Sequence, residues 1–418
     1  MAVLRPFQGL RFSSSLGPLE DLVAPPYDVL TPAQRDEFAA KSAHNTVWLT
    51  LPEQEPGDRS KYIKYARSAA RLAEWRRDGA LQLEAQPALY RYIQTFHIPG
   101  TPEALVRTSF IALLKTEPYA NGVVLPHEQT FPKHKEDRLR ILEATRAHLE
   151  CIFGLYEDPD SAVLNTLLAA PSSDRVEVFA DGVHHVLEPI VDESAIAALL
   201  AGLSDKKVWI ADGHHRYETA CAFREALGPR EELVAEDFLM MAFSSMADPG
   251  LVLLPTHRVL AKLPFTEDEL RERLAAQFDL HETPNSDLMA RIEALGIHAF
   301  GVALPGANGF VITPKSVDAL LALVPGDASA ELKALDVTLL HSVILENLLG
   351  IEGYDLISYT RDAEEAVHHQ GAVAFLMNPP SVDDMRVIAL GGEKMPQKST
   401  YYYPKVLSGL AIWSLGDF

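Results

Sequence analysis

Cysteine is scarce in this chain: Cys151 and Cys221 are the only two in 418 residues. Two is too few for a disulfide scaffold and fits a reducing cytoplasm. No run of 18 or more apolar residues occurs, so no transmembrane helix is expected. The opening MAVLRPFQGLRFSSS has no apolar core and no small-residue cleavage site, so no secretory signal is expected. CxxC, HExxH and GxxxxGK[ST] are missing, which argues against a zinc protease or a P-loop enzyme. The adjacent pairs His184-His185 and His368-His369 point their side chains in different directions, so no metal site is expected. Positive charge is also short, with 37 Lys+Arg against 58 Asp+Glu and a net charge of −21. That balance argues against a sequence-independent nucleic-acid binder, which must neutralise phosphates. It leaves room for a small anion in a local basic pocket.

What is present is a globular composition, 47% hydrophobic and 23% charged, able to bury a sizeable core. At roughly 100–200 residues per domain the length suggests two to four domains. Strand and helix patterns alternate along the whole chain, predicting a mixed α/β (α+β) fold. The expected division is an N-terminal α+β region over 1–125, a core over 126–262 and a C-terminal α/β region over 263–418. TVWLTL (46–51) reads as a strand, and 59–79 and 136–150 as helices. Hairpins are expected over 87–116 and at the Asp181-Gly182 turn. Thr266 and Glu269 form a capping box before a helix. Tyr401-Tyr402-Tyr403 reads as a strand alternating between faces rather than as a stacking platform.

The most informative segment is Val208-Trp209-Ile210-Ala211-Asp212-Gly213-His214-His215-Arg216. A buried strand ends in Asp-Gly and a helix begins at once. The first turn of that helix offers unpaired N–H groups and the positive end of its dipole. Gly213 lets backbone approach a ligand closely. His214, His215 and Arg216 add donors, and Arg216 has the fork to grip a phosphate in bidentate fashion. Cations in a first helical turn oppose the dipole, so their presence there wants a reason. Together these features predict a phosphate site.

This segment resembles the phosphate-binding box of the ParB/sulfiredoxin-like superfamily, and its five residues at 212–216 read as in that class's free-serine kinases. His214 stands where sulfiredoxins carry their cysteine, so sulfiredoxin chemistry is not implied. Pro126-His127-Glu128-Gln129-Thr130 resembles the segment that opens the same core, and the resemblance gives Glu128 the role of general base. From end to end the chain resembles a widespread bacterial and archaeal family of unknown function. The marks are Ala24-Pro25-Pro26-Tyr27-Asp28-Val29, the 127–138 segment, Asp212–Arg216, Pro255-Thr256-His257-Arg258 and Met395-Pro396-Gln397-Lys398-Ser399-Thr400.

The resemblance implies a nucleotide-dependent kinase acting on a small hydroxylated metabolite, most simply free L-serine. ATP or ADP would be the donor, with Mg²⁺ bridging phosphates. Glu128, Asp212 and His214 would be catalytic. Gly213, His214, His215, Arg216, Lys133, Arg258, Lys398 and Ser399 would hold the nucleotide. Tyr27, Asp28 and His257 would meet the substrate. Two readings compete: a nucleotide-binding switch without turnover, and a phosphatase or hydrolase using His214 or His215. Expected partners are small molecules, with no nucleic acid or membrane and with a possible homodimer; the expected location is the cytoplasm.

Overall fold

The computed structural model describes residues 1–99, 101–130, 132–353, 356–368 and 373–418, with the side chains of 132–134 also outside the description. The chain forms two compact units. The first holds Met1–Pro126, Thr130–Val252 and Pro404–Phe418; the second holds His127–Gln129 and Leu253–Tyr403. The architecture is mixed α/β.

A nine-stranded mixed sheet organises the first unit. Its strands are β1 (Leu4–Arg5), β2 (Leu89–His97), β3 (Ala104–Lys115), β4 (Val124–Leu125), β5 (Ile152–Tyr156), β6 (Val176–Ala180), β7 (Val183–Ile190), β8 (Val208–Asp212) and β9 (Phe238–Ser245). The order is β4-β8-β5-β9-β3-β2-β7-β6, with β1 also on β3. β4/β8 and β5/β9 run parallel, and the other pairs are antiparallel. All eight residues of β9 are buried, as a central strand covered on both faces requires. The expected boundary near 125 does not divide this structure. β3, from before it, is hydrogen-bonded along its length to β9, from after it.

Both expected hairpins form. In the second, Asp181 (φ 52°) and Gly182 (φ 73°) both take left-handed backbone, the pair of conformations that matches strand twist in a two-residue turn. TVWLTL is a correction: Val47–Thr50 is a short helix. Asn45, fully buried, holds the Val47 N–H with its Oδ1 and bonds the carbonyls of Asp21 and Val23 with its amide. That local side-chain-to-backbone turn takes the place of the partner strand that an apolar run implies.

The helices used below are α1 (Ile63–Arg77), α2 (Pro132–Thr145), α3 (Ala162–Ala169), α4 (Glu193–Leu203) and α5 (His214–Ala226). α2 packs on both α1 and α5. It ends at Thr145, short of the expected 150, because Ala147–His148 pairs with Trp413–Ser414. Apolar faces of α3, α4 and α5 cover the sheet through Val163, Leu167, Leu199, Leu203, Tyr217 and Ala220.

The second unit is built on a six-stranded, wholly antiparallel sheet. Its strands are β10 (His257–Leu260), β11 (Phe278–Pro284), β12 (Phe300–Ala303), β13 (Asn308–Pro314), β14 (Ile357–Thr360) and β15 (Val373–Met377), in the order β11-β13-β12-β15-β10-β14. α6 (Glu267–Ala275) starts with the expected capping box, Thr266 with Glu269. Leu288–Leu295 (α7) and Val382–Leu390 (α8) are also helical, and Leu339–Leu348 is a π-helix. No helix among the described residues is long and apolar enough to cross a membrane.

Candidate functional site

β8 reaches the site through an irregularity. Ile210 pairs with Gly154 and Asp212 with Phe153, so Ala211 is the extra residue of a bulge. Such bulges re-aim the side chain that follows. Gly213 then takes φ +91° and α5 begins at His214. A side chain at 213 is strained by that φ, and its Cβ would sit 3.1 Å from the Arg216 guanidinium. No side-chain hydrogen bond is made by the N-cap residue, Gly213. His214 is 4% exposed; His215 and Arg216 are half-buried.

Three charges meet at the strand end. Lys405 Nζ lies 3.1 Å from Asp212 Oδ1, and Arg216 Nη2 lies 3.3 Å from Asp212 Oδ2. Burial alone would raise the Asp212 carboxyl, but Lys405 and Arg216 outweigh it and hold the group well below the usual carboxylate range. Arg216 also donates to the Cys151 carbonyl. Two arms of the fork thus meet one carbonyl and one carboxylate, while the buried Nε has no hydrogen-bond partner among the described residues. Burial disfavours the Arg216 charge, yet Glu150, Asp28 and Asp212 more than restore it. Burial pushes both thiols up to about 12, so neither cysteine is a nucleophile at neutral pH.

The Pro25-Pro26-Tyr27-Asp28 turn belongs to the same place. The Tyr27 N–H donates to Glu150 Oε1 at 2.9 Å, and Ala24 bridges Ser408. The Arg138 guanidinium lies 3.9 Å from the Tyr27 ring centroid, and that of Arg216 lies 5.8 Å away. Burial raises the Tyr27 phenol well above its ordinary value, so it stays protonated. Asp28 is exposed. Arg138 also bonds Asp137 and the Thr50 carbonyl, and Lys135 bonds Glu218 at 3.0 Å. A small cavity of about 50 Å³ opens beside Arg216, lined in part by Arg138, His148, Glu150 and Thr219. The Lys133 side chain lies outside the described residues.

The remaining expected residues lie in the second unit. Glu128 and Met395 form a parallel bridge, the Met395 N–H donates to the His127 carbonyl at 2.8 Å, and the Lys398 N–H approaches Glu128 Oε1 at 3.4 Å. The His-Glu segment and the 395–400 segment are thus neighbours. His127 Nε2 and Thr400 Oγ1 are 2.8 Å apart. Lys398 takes φ +55°. Three residues are placed otherwise than expected. Ser399 is 4% exposed and donates to the Pro396 carbonyl, closing a turn. Arg258 is 1% exposed and donates to His341, to the Thr256 carbonyl and to the Lys398 carbonyl at 3.1 Å. His257 is fully buried, and burial lowers it to about 4. These residues hold the loop; the reason is that β10 begins at His257 and both its neighbours, β14 and β15, enclose it.

Two residues of the site escaped sequence reading. Lys405 follows a tyrosine run that looked merely structural, and Glu150 sat inside a helix that ends earlier. Among the described residues, no group of three or more His, Cys, Asp or Glu could hold a metal ion. Magnesium that bridges phosphates needs only one or two carboxylates; both Asp212 oxygens already pair with Lys405 and Arg216, and the exposed Asp28 is of that donor type.

A family model described as a protein of unknown function (DUF1015) matches residues 4–338. No curated protein matches. Solved structures with a likeness include a glutamate-to-alanine mutant of a free serine kinase in complex with ADP, 12% identical, covering 67% of this chain and 84% of its own, with a TM-score of 0.34. A conserved hypothetical protein from Pyrococcus furiosus is 14% identical, covering 71% and 94%, with a TM-score of 0.35. A C-terminally truncated SbnI from Staphylococcus aureus is 12% identical, covering 71% and 85%, with a TM-score of 0.34.

Proposed function

We propose, for a chain that belongs to the DUF1015 family of proteins of unknown function, a nucleotide-dependent phosphotransferase acting on a small alcohol, with free L-serine as the first candidate. One observation carries the reading: the α5 N-terminus starts behind a left-handed Gly213, with Asp212, Lys405 and Arg216 gathered at it. Helix N–H groups and a local cation make a phosphate cradle on an otherwise acidic chain. The Asp-Gly-His-His-Arg box, shared with the free-serine kinases it resembles, favours kinase over other phosphate chemistry.

In this reading the N–H groups of His214, His215 and Arg216 receive phosphate oxygens, and Arg216 braces the strand end from below. Asp28 takes the substrate ammonium or a Mg²⁺ bound to phosphate. The serine hydroxyl oxygen forms a bond to the terminal phosphorus of ATP or ADP, its proton passes to a base, and ADP or AMP leaves. Phosphoryl transfer is mostly positioning and charge neutralisation, so a cradle and one carboxylate base suffice. The resemblance gives that base role to Glu128. Bound Mg²⁺ would supply charge neutralisation on the phosphates.

Incubating the purified protein with ATP or ADP, Mg²⁺ and L-serine should yield O-phosphoserine. No product from serine, threonine or related alcohols sinks the kinase reading. Nucleotide binding without turnover would leave a switch, and phosphate released from phosphoserine would indicate a hydrolase.

A further inference from the structure

The stretch Pro404–Ser408 is held with unusual care. Arg107 and Gln94 are both fully buried. Arg107 donates to Gln94 Oε1 and to the Pro404 carbonyl, and Gln94 donates to the Lys405 carbonyl at 2.9 Å. The Leu407 N–H donates to the Tyr92 hydroxyl at 3.2 Å, and the Ser408 hydroxyl donates to Glu150 Oε1 at 3.0 Å. Burying a guanidinium and an amide is costly unless they are hydrogen-bonded. Here their bonds converge on the two carbonyls that flank one peptide, and the side chain fixed by that peptide is Lys405.

The two cations on Asp212 are not equivalent. Arg216 has a planar fork whose bonds point in set directions: Nη1 donates to the Cys151 carbonyl and Nη2 to Asp212, while the buried Nε has no hydrogen-bond partner among the described residues. Its guanidinium also packs where a Cβ on residue 213 would stand. Turning outward would break all three relations. An ammonium is a compact charge with rotatable donors, and it meets a phosphate without surrendering a carboxylate on its other side.

Resting on the phosphate reading above, we infer that Lys405 is a side-chain cation that meets the ligand's phosphate at the start of α5. Asp212 is its positioning residue, holding the ammonium at the mouth of the helix. The C-terminal stretch therefore supplies part of a site whose recognisable box lies almost two hundred residues earlier in the chain, as 193 residues separate Asp212 from Lys405.

The test is calorimetric titration of ADP, AMP and adenosine into wild type, K405M and the double variant D212N/K405M, with a thermal melt of each. K405M should weaken ADP binding at least tenfold while adenosine affinity stays within twofold, because only phosphate recognition is lost. A merely structural lysine would shift all three ligands together or none. The double variant leaves no unpaired carboxylate at 212; it should melt near wild type and show the same selective loss, which separates binding from folding. Wild type that binds ADP while both variants bind it equally well overturns the inference and leaves the phosphate site standing. Wild type that binds no phosphorylated probe overturns both.

Discussion

Arg216 and Arg258 each follow an apolar strand and a histidine, and each looked like a phosphate donor. Their surroundings differ in kind. Arg216 lies in the first turn of α5, half-buried, against the carboxylate of Asp212 and near Glu150 and Asp28. Arg258 lies inside β10, and its donors meet His341 and the carbonyls of a loop. The element that follows the histidine makes the difference. A helix start leaves N–H groups for a ligand; a strand with neighbours on both sides encloses whatever it carries. The same His-Arg pair therefore stands at a helix start in one unit and inside a strand in the other.

The hardest blow to that contrast would come from Arg258. R258A strips partners from buried acceptors and should cost about 3–5 kcal/mol, read as a large fall in melting temperature. A near-wild-type melt would end its role as a strut. E128Q should reduce phosphoserine formation about 10²–10⁴-fold, the usual worth of general base catalysis, with ADP affinity unchanged. Full rate would show that Glu128 is not the base. G213A should cost about 1–2 kcal/mol from left-handed strain and weaken ADP binding by displacing Arg216. Unchanged binding would mean the tight turn is not part of the cradle.

Acid should separate the two places as well. Burial lowers His341 to about 3 and His257 to about 4, with Arg258 adding to both shifts. An unfolded imidazole titrates near 6.5. Between about pH 6.5 and 4 the unfolded chain thus binds protons that the folded one refuses. Their stability contribution is complete above that window and declines as pH falls through it. The Asp212 carboxyl, held low, keeps its contribution through the same window and loses it only at stronger acid. H341Q should flatten the dependence of melting temperature on pH between 7 and 4.5; an unaltered slope would remove His341 from the explanation. The smallest effect belongs to K398G. It relieves a left-handed backbone at φ +55° and should raise stability by under about 1 kcal/mol.

Sequence pattern reached the local features and missed the distant ones. The β8–Gly213–α5 junction, both hairpins and the Thr266 capping box were legible because each is written within a few adjacent residues. Val47–Thr50 was misread because its helix depends on Asn45 bonding carbonyls more than twenty residues away. The burial of His257 was invisible because it is imposed by β14 and β15, about a hundred residues later. Lys405 was missed for the same reason: its partners Asp212 and Gln94 are assembled by tertiary pairing that no local spacing records.

The most direct test of the central claim is a crystal structure of the protein soaked with ADP and Mg²⁺. Phosphate density within hydrogen-bond distance of the His214 and His215 N–H groups and of Lys405 is the predicted result. Ordered ADP elsewhere, with the α5 N-terminus holding only water, would contradict it.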